Sequence, residues 1–116
     1  MSRDSDAVEA VERILDGAAD ADQILRDTVT VLAEHFETGV GIRFVEEGAF
    51  TDGPWSGDPS APADAVPIRY NGGVVAEIVS TISLDVSARL AWERVALLIS
   101  AFCLVGWDTG GENWEP

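Results

Sequence analysis

The sequence predicts an α+β domain. One antiparallel sheet of about four strands is flanked on one face by two N-terminal helices and one long C-terminal helix. Three observations carry this. Two early segments repeat their apolar residues every three or four positions, strand-like central segments beginning with the alternating run from Val40 are punctuated by Gly turns, and a closing run from Val95 to Trp107 is apolar almost throughout. Gly-containing turns join the central segments in pairs, and no helical pattern separates them, so the strands pair as hairpins. With 116 residues the chain has room for one modest domain.

The first helix is predicted over about Asp4 to Gly17, where Val8, Val11, Ile14 and Leu15 form a stripe and Glu9, Glu12 and Arg13 lie off it. "DGAADADQ" breaks the pattern, and Asp20 or Asp22 can cap a second helix by accepting its free first-turn amides. That helix runs to about Phe36 on a stripe of Ile24, Leu25, Thr28, Val29, Leu32 and Phe36, and Thr38-Gly39 ends it. In "VGIRFVEEGAFTDG", Val40, Ile42 and Phe44 alternate with Gly41, Arg43 and Val45; "EEG" turns the chain into a short returning strand, "AFTDG". "AVPIRYNGGVVAEIVSTI" gives a second hairpin around Asn71-Gly72-Gly73, where a tight turn needs positive φ. Pro67 cannot donate to a ladder, so its strand is expected at an edge or paired on one side only at that point. "LDVSARLAWERVALLISAFCLVGW" reads as one long helix capped by Ser83 or Asp85 and ending near Gly106. The division expected is an N-terminal helix over 1–19, available for dimerisation, a domain over 20–107, and a loose acidic tail over 108–116.

The chain has 21 acidic and 7 basic residues, all seven of them Arg, and a net charge of −14. Such a surface repels phosphates and anionic membranes, which argues against nucleic-acid and membrane partners. Acid-rich, Lys-free composition is similar to that of salt-adapted microorganisms. The thirteen-residue run Val95–Trp107 is too short to span a bilayer. The opening "MSRDSDAVEAVER" lacks an apolar signal core, which predicts a cytoplasmic protein. One Cys permits neither an intrachain disulfide nor a Cys-based metal cluster.

Over about residues 20 to 106, the segments "ILRDTVTVLAEHFETGVGIRFVEEGAF", "ADAVPIRYNGGVVAEIVSTI" and "RLAWERVALLISAF" resemble the first helix and hairpin, the later hairpin, and the closing helix of a GAF domain. The resemblance implies a GAF-like, profilin-like sheet. It also shows a departure. Members of that family place several dozen residues between the first hairpin and the "VPI" strand, and these roof a small-molecule pocket. Here only "PWSGDPSAP" stands between, too short for one helix with its connections. The chain resembles a reduced member without the roof, so the cyclic-nucleotide and tetrapyrrole binding of relatives is not expected. Reduction of methionine sulfoxide in one branch uses several cysteines, which Cys103 alone does not supply.

The candidate chemistry is sparse. His35, the one His, falls in the last turn of a helix, where its interaction with the helix dipole accounts for it. Cys103, among Leu98, Phe102 and Leu104, reads as a small buried apolar group. Glu46, Glu47, Asp52, Asp58 and Asp64 cluster around the hairpins but lack the ordered alternation of a calcium loop. "NGG" precedes a strand and not a helix, so it is a turn, not a phosphate cradle. No catalytic residue, metal site or cofactor is predicted.

Four Trp, at 55, 92, 107 and 114, are many for this length, and Trp is enriched at interfaces. Leu90, Trp92, Val95, Leu97, Leu98, Ile99, Phe102, Leu104 and Val105 point nearly all round the closing helix, so one sheet cannot cover it. A second copy is the simplest cover, with Val8, Val11, Leu15, Trp92, Ile99 and Phe102 as the expected dimer interface. The GAF resemblance agrees, since such domains often pair through terminal helices. The sheet face away from the helices carries Gly41, Arg43, Val45, Arg69, Glu77 and Val79, with Trp55 placed to fold over it. The expected function is a non-enzymatic regulatory or protein-interaction module working as a homodimer. The alternative is a small-molecule sensor whose pocket uses Arg43, Trp55, Arg69 and Glu77, roofed by a dimer mate or by Trp55, with Arg43 anchoring an anion.

Overall fold

The computed structural model describes residues 3–17, 20–46, 49–57, 61–70 and 72–105. Helices α1 (Arg3–Asp16) and α2 (Ala21–Phe36) precede strands β1 (Val40–Glu46), β2 (Ala49–Ser56), β3 (Asp64–Tyr70) and β4 (Gly73–Ser80). Helices α3 (Val86–Ile99) and α4 (Phe102–Val105) follow. Of the positions named above, Glu47, Asp58, Asn71, Gly106, Trp107, Trp114 and the 108–116 tail lie outside the described residues.

Local chemistry sets the helix ends. Asp20 caps α2, its Oδ1 accepting the Gln23 amide at 2.9 Å. Asp85 does the same for α3 through the Ala88 amide at 2.8 Å. At the far end of α2, Glu37 adopts a left-handed conformation (φ 55°), and its amide and that of Thr38 both donate to the Ala33 carbonyl. The residues predicted for the α2 stripe, from Ile24 to Phe36, are the ones this helix buries.

The sheet is antiparallel throughout, in the order β2-β1-β4-β3. Both edge strands carry a proline, Pro54 in β2 and Pro67 in β3, where a missing N–H costs no ladder bond. Gly72 turns β3 into β4 at φ +85°. The register aligns Ile42 with Ile78 and Val66 with Ile78, and Phe44 and Ile68 with Ala76. These residues, with Val40, are fully or almost fully buried on the face against which α2 and α3 pack. Helix α1 lies against α2 and α3, contributing Ala7 and Val11 to the same core.

Strand β2 is longer than the expected "AFTDG". It continues through Pro54, Trp55 and Ser56, with a bulge that sets Gly53 and Pro54 opposite Ile42. This shortens the connector. The row Ser56–Val40–Ser80–Asp64 crosses one end of the sheet from edge to edge. The ends that residues 57–63 connect lie three strand spacings apart, about 14 Å, against the roughly 23–25 Å that seven fully extended residues can reach. Ala63 is tied to this end by donating to the Ser80 carbonyl at 2.7 Å.

The long closing helix expected from the sequence is two helices. Ser100 donates its hydroxyl to the Leu97 carbonyl at 3.1 Å, and the Cys103 amide bonds back to the Ser100 carbonyl at 3.2 Å. A serine hydroxyl that captures a helix carbonyl competes with the regular ladder, and α3 stops at Ile99. A second correction concerns the expected interface. Val11, Trp92 and Ile99 are each 0% exposed within a single chain, so they offer nothing to a second copy. Trp92 packs edge-on against Phe36, ring centroids 5.6 Å apart. The sheet, α2 and α1 already supply the cover that these residues require. Val8, Leu15 and Phe102 pack partly buried against the core.

Candidate functional site

The sheet face away from α2 and α3 brings together three of the four residues singled out there. Arg43 and Glu77 face each other across β1 and β4 and form an ion pair, Nη2 to Oε1. The Phe50 ring lies over the Arg43 guanidinium at 4.5 Å, and half of Phe50 is still exposed. Trp55 sits beside Gly41 in the ladder, so close that a Cβ on Gly41 would meet its Cε2 at 2.5 Å. Gly41's partner on the other side, Val79, is fully buried although it belongs to this face. Trp55 therefore does close over part of the sheet, from within β2 and not from a loop.

Arg69 is elsewhere. It is exposed and lines a shallow groove with Pro67 and with Glu93, Ala96 and Leu97 of α3. Arg43 is already paired with Glu77 and covered by Phe50, and its Nε is buried without a hydrogen-bond partner. An incoming anion would have to displace a carboxylate already in place, so this face is poorly suited to anchor one.

The other titratable groups are held in structural roles. Burial pushes the Cys103 thiol up to about 12, which leaves almost no thiolate at neutral pH. His35 Nδ1 lies 2.9 Å from the Val31 carbonyl, one turn back along α2. Among the described residues no cluster of three or more His, Cys, Asp or Glu is arranged to hold a metal ion. Asp64, counted with the acidic cluster, fastens the start of β3 to α3. Its carboxylate accepts the Leu84 and Ala65 amides, each at 3.0 Å, and pairs with Arg89, which also donates to the Ala65 carbonyl at 3.2 Å.

The Leu84 amide, helped by the Ala65 amide and Arg89, holds the Asp64 carboxyl below its usual range against the opposing effect of burial. A carboxyl lowered in the folded state adds stability above its unfolded pKa of about 3.9, and that stability disappears as pH falls through the folded value. Asp64→Asn is therefore expected to lower the melting temperature at pH 7, with the gap to the parent chain closing on acidification below about pH 4. A gap independent of pH between 7 and 3 would show that the ionised carboxylate is not what fastens β3 to α3.

The unsatisfied surface lies on α3. Val86 is 77% exposed, Leu90 61% and Leu97 70%. Glu93 and Arg94 lie exposed between Leu90 and Leu97. Beside this stripe, an open groove of about 490 Å³ separates Asp4, Val8 and Glu9 of α1 from Leu90, Ala91 and Arg94 of α3. The Ser87 hydroxyl donates to Asp4 and closes one end of it. Of the expected interface residues only Val8 lines this groove, and none of Val86, Leu90 and Leu97 was among them. Their four- and seven-residue spacing is present in the sequence, but buried residues at the intervening positions are equally apolar and mask it.

Fold and site together define an α+β domain with a four-stranded antiparallel sheet, no described cluster suited to a metal, and an exposed apolar helix stripe. Comparison with known protein families, curated proteins and solved structures found no match. No helix among the described residues is long and apolar enough to cross a membrane.

Proposed function

We propose that this chain is a non-enzymatic, reduced GAF-like module for protein interaction, acting as a homodimer in a regulatory or scaffolding role. The observation that carries this is the exposed stripe Val86, Leu90 and Leu97 on α3, the three most exposed of the large apolar side chains among the described residues. The lone thiol is buried and protonated, and the lone imidazole faces a carbonyl of its own helix, so neither is placed as an activated nucleophile or its base. The seven-residue run from β2 to β3 has no room for a pocket roof, and Trp55 and Phe50 occupy the sheet face that a pocket would use.

Sedimentation equilibrium of the full chain tests the pairing. In about 2 M KCl, where the Debye length falls to roughly 2–3 Å, repulsion between two chains of charge −14 is screened and a dimer of twice 12.4 kDa is expected. In dilute buffer the same chain is expected to dissociate more readily. A single species of 12.4 kDa at every salt and protein concentration would overturn the homodimer.

A further inference from the structure

We infer that the second copy docks α3 against α3 antiparallel, with Leu90 of each chain on Leu97 of the other and Glu93 of each chain on Arg94 of the other. This rests on the homodimer proposed above and names its surface. Successive helix residues are 100° apart, which places Val86, Leu90, Glu93, Arg94 and Leu97 within one third of the helix circumference. All five are exposed. The order of these residues is its own antiparallel complement about the point midway between Glu93 and Arg94. Three positions before that pair stands Leu90, and three positions after it stands Leu97.

A two-fold axis through that point puts leucine on leucine and acid on base twice over, the self-complementarity an isologous interface requires. Among the described residues Arg94 has no ion-pair partner, although the chain has three times as many acidic as basic residues. A base placed inside an exposed apolar stripe, unpaired at home, finds its acid in Glu93 of the second copy. The net charge decides the salt response. Long-range repulsion between two acidic chains is removed by salt, whereas contacts at the centre of an interface are screened much less. Salt should therefore strengthen this dimer even though it contains ion pairs.

The test uses single and paired charge reversals in the full chain, with circular dichroism confirming that each variant folds. Glu93→Arg sets base against base at both crossings, and Arg94→Glu sets acid against acid. Each is expected to weaken self-association about tenfold or more. The double variant restores both pairs and should dimerise like the parent chain. Mixing the two single variants should give a heterodimer, because one supplies only bases and the other only acids. Leu97→Glu should give a monomer. A parent dimer that survives every one of these changes would overturn the α3 surface while leaving the homodimer standing. A parent chain that stays monomeric at all salt concentrations would remove the homodimer and this surface with it.

Discussion

Replacing Trp92 with Ala should lower the stability of the chain by about 3–5 kcal/mol, the range for deleting a large buried aromatic, in urea or thermal melts followed by circular dichroism. The indole is 0% exposed, and its edge-on contact with Phe36 ties α3 to α2 across the centre of the core. A residue that covered only a dimer interface would behave otherwise. Its removal would shift the association constant and leave the melt of the dilute monomer nearly unchanged. Trp92→Phe sharpens the expectation. The indole Nε1 is buried without an acceptor, so Phe gives up some ring volume but also removes an unpaired donor. It should cost clearly less than Ala; equal losses would mean that the ring itself contributes little.

Gly41→Ala is the second large effect, expected to cost about 1–3 kcal/mol by overpacking. Gly41 lies in an inner strand, and the added Cβ would come within 2.5 Å of Cε2 and 2.6 Å of Cδ2 of Trp55. A rigid indole held in β2 moves aside only by giving up its place on the sheet. The clash predicts coupling between the two sites. In a Trp55→Ala background, Gly41→Ala should become nearly neutral or mildly stabilising, because the space above the strand is open and Ala is better than Gly inside a strand. Additive losses in the double variant would show that Trp55 does not rest on Gly41. The same measurement bears on function, since a chain whose Trp55 closes the sheet face has that much less room for a ligand.

The fold was legible where one periodicity ruled each segment. The α2 stripe from Ile24 to Phe36, the two hairpins and the edge position of β3 follow from local chemistry, side-chain spacing and a proline without an N–H, whereas the choice of Asp20 over Asp22 and of Asp85 over Ser83 as caps came from the structure. The site was legible only in part. Arg43 and Glu77 could be assigned to one face by alternation, but their pairing depends on the register between β1 and β4, which no local signal states. Arg69 sits on the same strand alternation yet ends beside α3, because the ladder slips between Ile68 and Arg69.

By itself the sequence determined the order of the first two helices and the four strands, the stripe that α2 buries, the sheet's buried face, the acidic composition and the shortness of the run between β2 and β3. Each is a property of neighbours in the chain. Only the tertiary structure decided which apolar residues of the closing helix stay in water. Trp92, Val95 and Ile99 go inside, and Val86, Leu90 and Leu97 stay outside. Composition treats these as equivalent, and the difference between them is made by α1, α2 and the sheet arriving on one side of α3 and not the other. Burial is a relation between distant segments, so a helix that is apolar all round carries no record of which face its own chain will cover.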